Sequence, residues 1–213
     1  MKTIPLSVCT TAMSRPSILS KTYSSFMDKL IGVDWGGSKL YLNIDPLPSR
    51  DKVDETISVA KEYFGTVITR TPDVPNFTSA VQWCWREVEE KMFLHLEDDW
   101  VLTKRMNLKY LLKFFDKIET KQVVLRAYPR AYKKMCLSPS IILSDFAKRF
   151  DFDTATNPEI QLRTNFVKSK NICTPHSKKT IVVKDIGRAW LDNQDFSKPK
   201  TKARFTSWIK EEE

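Results

Sequence analysis

Apolar and polar positions switch between two periods along this 213-residue chain. Ile4, Leu6 and Val8 alternate with other residues, which predicts a strand, and Thr10-Thr11 followed by Arg15-Pro16 carry it into a loop. Residues 17–30 predict a helix ending near Gly32, and Asp34-Trp35-Gly36-Gly37 predicts a turn. Leu40 to Ile44 predicts a second strand, stopped by Asp45-Pro46. Val53, Ile57, Ala60 and Phe64 fall on one helical face, with Asp51 or Asp54 as the cap. Thr66 to Thr69 is a short β-branched strand. Phe77, Ala80, Val81, Cys84, Trp85 and Val88 recur at helical spacing and predict core, and Lys91 to Leu96 predicts the next strand, with His95 inside it. Strand and helix alternate throughout, the pattern of an α/β fold with a parallel sheet covered on both faces.

Beyond residue 100 the pattern loosens. Leu108, Leu111, Leu112 and Phe115 mark a helix, and Val123 to Leu125 a strand. Met135 to Leu143 predicts another strand, interrupted by Pro139. Ser144-Asp145 would cap a short helix to Phe150, Glu159 to Phe166 reads as helical, and Thr180 to Val183 as extended. Asp192 to Glu213 is a polar, lysine-rich tail in which Trp208 is the expected aromatic anchor.

One segment changes the picture from architecture to chemistry. Phe93-Leu94-His95-Leu96 ends in Glu97-Asp98-Asp99-Trp100. Adjacent carboxylates repel and are costly to desolvate. At the carboxyl edge of an α/β sheet, where ligands bind, a divalent cation would relieve that cost. Hard oxygen donors suit Mg²⁺ or Mn²⁺, and a solvated acidic turn is the plain alternative.

Composition narrows the classes. No apolar run reaches the ~18–20 residues of a membrane span, so no transmembrane segment is expected, and residues 1–10 lack the apolar stretch of a signal peptide. Cys9, Cys84, Cys136 and Cys173 are too scattered for a zinc site or disulfide framework, which suggests a cytoplasmic protein, in a host cytoplasm if the chain is viral. Nothing in the chain specifies an oligomeric state. Charge is uneven: residues 1–100 hold 11 Lys/Arg against 14 Asp/Glu, whereas residues 101–213 hold 24 against 12. A clustered excess attracts polyanions, although a soluble lysine-rich surface would carry the same charge.

The order of these features resembles a compact GT-A glycosyltransferase of the inverting family 2 type, over roughly residues 3–190. Val8-Cys9-Thr10-Thr11 with Arg15-Pro16 is similar to its first strand and nucleotide-contacting loop. Asn76-Phe77-Thr78-Ser79-Ala80 is similar to the opening of its helix before the metal strand, and Leu96-Glu97-Asp98-Asp99-Trp100 to its D-x-D motif with Glu in first place. Leu137-Ser138-Pro139-Ser140, Ser144-Asp145-Phe146, Phe150-Asp151 and Pro158-Glu159 follow the order of its acceptor half.

The resemblance implies a single GT-A-like domain over residues 1–190, with a Rossmann-like, mostly parallel sheet flanked by helices. Residues 1–100 would be the nucleotide-sugar half, 101–190 the acceptor half and 191–213 a basic tail. It implies a nucleotide-sugar donor of the UDP-glucose type and Mn²⁺ or Mg²⁺ at Asp99, helped by Asp98. Asp185 or His176 would be the further ligand, Asp185 suiting the position better. Glu97 would approach the ribose or a metal-bound water, and Thr10, Thr11, Arg15 and Asp45 would line the nucleotide pocket, although an Asp before Pro is also an ordinary turn residue. Arg188 would meet the diphosphate or a surface carboxylate. Glu159 would be the base for an inverting displacement, or a glutamate favoured at a helix start. The family often has Glu-Asp here, where this chain has Glu159-Ile160.

Arg126-Ala127-Tyr128-Pro129-Arg130-Ala131-Tyr132-Lys133-Lys134 interleaves cations with rings, a composition suited to nucleic acid. A DNA acceptor with hydroxymethylated pyrimidines is therefore expected, as in enzymes of bacterial viruses. A surface polysaccharide or lipid-linked sugar is the alternative acceptor. A metal-dependent nuclease and a non-catalytic nucleic-acid-binding module are the alternative classes.

Overall fold

The structure, a computed structural model, describes residues 3–47, 52–126, 135–164, 171–175, 180–191, 196–197 and 209–210. The first half runs β1 (Ser7–Met13), α1 (Pro16–Lys29), β2 (Leu30–Ile31), β3 (Lys39–Asp45), α2 (Val53–Tyr63), β4 (Thr66–Arg70), α3 (Phe77–Glu87) and β5 (Met92–Glu97). The second begins with β6 (Trp100–Leu102), β7 (Met106–Asn107), α4 (Leu108–Leu112), a 3₁₀ turn at Lys113–Asp116 and β8 (Gln122–Val124). It continues through β9 (Ser140–Leu143), α5 (Ser144–Ala147), α6 (Pro158–Thr164), β10 (Ile172–Cys173), β11 (Val183–Asp185), α7 (Gly187–Leu191), β12 (Phe196–Ser197) and β13 (Ile209–Lys210).

Seven strands form the central sheet in the order β10-β8-β9-β5-β1-β3-β4. β5, β1, β3 and β4 are parallel, while β9 runs antiparallel to β5 on one side and β8 on the other. From β1 the chain builds outward first through β3 and later through β5. That reversal opens a crevice at the carboxyl ends of β1 and β5, where doubly wound sheets bind ligands.

The period-2 alternation places one set of side chains on each sheet face. Val8, Leu40, Leu42, Leu94 and Leu96 pack with Leu19, Tyr23 and Phe26 of α1. Cys9, Tyr41 and Phe93 pack with Val81, Cys84 and Trp85 of α3. His95 is fully buried, accepts a bond from the Trp85 indole N–H (3.3 Å), and burial lowers its pKa to about 3.

Several boundaries differ from expectation, each for a local reason. β1 begins at Ser7, and Ile4 makes only an isolated bridge to Val33. Thr10-Thr11 are strand rather than loop. Asp54 sits inside the first turn of α2, whose cap position is Lys52, and Asp51 lies outside the described residues. Pro139 has no N–H to give a ladder, so β9 starts only at Ser140; Met135, Cys136 and Leu137 are buried without pairing. Ser144 does not cap α5: its hydroxyl donates to the Glu90 carbonyl, and α5 ends at Ala147. The extended segment expected from Thr180 pairs only from Val183, three residues later, as β11 against β6.

Candidate active site

β5 delivers Glu97-Asp98-Asp99 to the crevice, and the turn after it is fastened on both sides. The Asp98 N–H donates to the Thr11 carbonyl of β1 (3.1 Å), and the Asp98 carbonyl accepts from the Thr22 hydroxyl of α1 (2.5 Å). The Asp98 carboxylate is buried and committed: it accepts from the Met13 N–H (3.1 Å) and from Arg15 Nε (3.0 Å), and Arg15 Nη2 bonds its other oxygen. Arg15 Nη2 also reaches Asp99 Oδ2 at 3.2 Å. Burial opposes the Arg15 charge, but Asp98 and Asp99 outweigh it and raise its pKa.

Asp99 is half-buried, and its carboxylate lies in a notch formed by Gly187. A Cβ added at Gly187 would stand 2.0 Å from Asp99 Oδ2, so no side chain fits there without moving it. The notch exists because β11 pairs with β6 in a register that sets Asp185 opposite Trp100. The Ile186 N–H then donates to the Asp99 carbonyl (2.8 Å), and the Gly187 N–H to Asp185 Oδ1 (2.9 Å). Three residues on, the Trp190 ring covers the Arg15 guanidinium, 5.0 Å from ring centroid.

The carboxylates disturb one another's ionisation. Burial, then Asp98, raises the Asp99 pKa to about 6, with Asp185 adding to it against the Arg15 charge. Burial pushes Glu97 well above the usual carboxylate range, and the charges of Asp99, Glu159, Asp98 and Asp185 push it further. Glu159 thus lies within electrostatic reach of the cluster. It is half-buried in the first turn of α6, with Oε2 held by Arg163 at 3.1 Å.

Asp45 ends β3, beside Met13 on β1. It is buried and accepts from Asn43 Nδ2 (2.8 Å); burial raises its pKa to about 6. Arg70 approaches the same corner, donating to Asn43 Oδ1 (3.3 Å). Two buried polar atoms here have no partner among the described residues: Arg15 Nη1 and Thr11 Oγ1. An unmet donor and an unmet hydroxyl inside a polar crevice suit an oxygen-rich ligand.

Not every expected residue reaches the crevice. Thr10 is fully buried on the α1 face, where its hydroxyl accepts from Tyr23 OH (3.1 Å); it packs the core and lines no open surface. Arg188 is exposed on α7. Arg126 lies over the Trp100 ring, 4.8 Å from its centroid, which brings the start of the basic stretch beside the carboxylates. Tyr128, Arg130, Tyr132, Lys133, Lys134 and His176 lie outside the described residues. Gly187, Trp190, Asn43 and Arg70 were not expected at the site. Only Gly187 had a sequence signal, its place directly after Asp185-Ile186.

A divalent cation fits the donor set. Two carboxylates, Asp99 and Asp185, flank the notch, and burial together with neighbouring negative charge holds Asp99 and Glu97 toward neutrality. Among the described residues no three His, Cys, Asp or Glu side chains gather into a complete metal site. One or two protein carboxylates plus substrate phosphates are the usual coordination for such ions at nucleotides.

No protein-family model matches the sequence, and no curated protein sequence matches it. Solved structures do match. TarS 1-349 of S. aureus in complex with UDP-GlcNAc superposes with a TM-score of 0.60 at 13% identity, over 84% of this chain and 58% of that one. Mannosyltransferase PcManGT of Pyrobaculum calidifontis, in complex with GDP-Man and Mn²⁺, gives 0.58 at 8% identity, over 84% of this chain and 56% of that one. HddC of Yersinia pseudotuberculosis gives 0.55 at 10% identity, over 88% of this chain and 97% of that one. The chain spans 36% of a longer TarS chain. No helix among the described residues is long and apolar enough to cross a membrane. The chain has the GT-A glycosyltransferase fold of these structures.

Proposed function

We propose that this chain is a metal-dependent glycosyltransferase. It moves a sugar from a nucleotide-sugar donor of the UDP-glucose type to a hydroxyl acceptor, with inversion. The observation that carries the reading is the Asp98 and Asp99 carboxylates held on a buried Arg15, with Asp99 in the Gly187 notch after Asp185, at the carboxyl edge of a GT-A sheet.

Asp99 and Asp185 would hold Mn²⁺ or Mg²⁺, which when bound supplies charge neutralisation for the leaving diphosphate. The chain's own residues do the rest. Arg15, clamped by Asp98, offers the donor a fixed cation whose Nη1 has no partner among the described residues, and Thr11 offers a hydroxyl. Glu97 faces the ribose and Asp45 lines the nucleotide pocket, while Arg188, exposed on α7, is left out of the donor site. Glu159 accepts the acceptor hydroxyl proton as that oxygen attacks the anomeric carbon opposite the leaving group, and Arg163 steers its carboxylate.

The acceptor we propose is a hydroxymethylated pyrimidine base in DNA. Residues 101–213 carry the positive excess, and Arg126 stands at the edge of the crevice against Trp100. Such a base would be flipped from the stack to reach the donor. Labelled UDP-glucose offered with hydroxymethylated or plain duplex DNA tests this: label enters the hydroxymethylated duplex alone. Transfer only to a lipid-linked sugar would defeat the DNA acceptor, and DNA cleavage without donor would favour a nuclease.

A further inference from the structure

The edge of the sheet opposite the carboxylates carries a cavity of about 150 Å³, lined by Lys91, Lys121, Leu143, Asp145, Phe146 and Arg149. It has room for several waters. Its position follows from the strand directions. β5 and β8 start at this edge, and β9, running the other way between them, ends here. The Ser144 N–H donates to the Lys91 carbonyl (3.0 Å) and the Leu143 N–H to the Lys121 carbonyl (3.1 Å). Both lysines are thereby tied to the end of β9, about 10 Å apart across two strand spacings. Lys121 Nζ is steadied by the Ile118 carbonyl at 2.9 Å, and Arg149 enters from the turn after α5.

Three cations against one carboxylate, Asp145, make this an anion-attracting cavity, and the Phe146 ring adds an aromatic wall. The ring is held edge-on to Phe150, with centroids 5.4 Å apart. β5 rises about 17 Å from Met92 to Glu97, so the cavity takes no part in donor binding. Cations beside a fixed ring are the combination that grips single-stranded nucleic acid, backbone on the charges and base on the ring.

We propose that this cavity is a second binding site, remote from the transfer centre, which holds a phosphate of a nucleic-acid strand with its base against Phe146. Binding of a fluorescent oligothymidylate, measured by anisotropy across a salt series without metal or nucleotide sugar, tests it. The Lys91→Gln/Arg149→Gln variant is expected to bind about tenfold more weakly and to reduce the slope of log K against log salt by about 0.7, one single-strand phosphate contact. Lys121→Gln, a partly exposed single change, should move both in the same direction by less. UDP and Mn²⁺ binding should stay unchanged in both variants. Unchanged oligonucleotide affinity and slope would overturn the proposal, as would a polyphosphate of equal charge binding as tightly. Oligonucleotide binding that depends on the cavity in a protein that transfers no sugar would uphold this site and refute the transfer reading.

Discussion

At the scale of single residues, the site is organised by one buried ion pair. Arg15 receives both oxygens of Asp98 and touches Asp99, so Asp98 works as a clamp rather than a ligand. Removing one partner of such a pair strands a buried charge. Asp98→Asn is expected to lower the unfolding free energy by about 3 kcal/mol, read from the urea midpoint. A midpoint equal to wild type would mean the clamp carries no stability. Asp45 behaves oppositely. Its folded pKa of about 6 lies above the unfolded carboxyl value, so its contribution is fully present below about pH 4 and lost as pH rises through 6. Asp45→Asn should therefore raise stability at pH 8 by about 1–3 kcal/mol and change it little at pH 3.5, in paired denaturation curves. Glu97, Asp98 and Asp99 stood out because adjacent carboxylates ending a predicted strand demand a partner, whereas Arg15 was expected only from the family likeness of its loop. Thr10 was misplaced because an adjacent pair such as Thr10-Thr11 does not reveal which member faces the core.

At the scale of elements, the parallel half was readable and the antiparallel half much less so. β1, β3, β4 and β5 each carry an apolar pattern of their own, whereas β9 and β11 owe their limits to Pro139 and to a partner 80 residues away. That long-range pairing creates the Gly187 notch, which no local pattern announces. Gly187→Ala must push the Asp99 carboxylate aside, and Mn²⁺ affinity by titration calorimetry should fall by about 10–100-fold while the fold persists. Equal affinity would place the ion elsewhere. α3 was legible from its apolar face, and its cap appears only in the structure: Asn76 Oδ1 accepts from the Ser79 N–H at 2.8 Å. Asn76→Ala should cost about 1 kcal/mol in thermal unfolding, and no loss would show that packing of Trp85 alone fixes the helix.

At the scale of the whole molecule, residues 1–100 with an acidic excess and residues 101–213 with a basic excess contribute strands to one sheet. The fold was legible although identity to the matched structures is only 8–13%, because the strand order depends on where polar edges and apolar faces fall rather than on particular residues. That charge asymmetry along the sequence would suit a metal-bound donor meeting a polyanion. The central claim is that the β5 carboxylates bind a nucleotide through a metal. Titration calorimetry of UDP into the protein, with Mn²⁺ and then with EDTA, tests it most directly, using folded Asp99→Asn as the comparison. The account predicts binding with Mn²⁺ that disappears on chelation and in Asp99→Asn. UDP binding of equal strength without metal, or in Asp99→Asn, would contradict it.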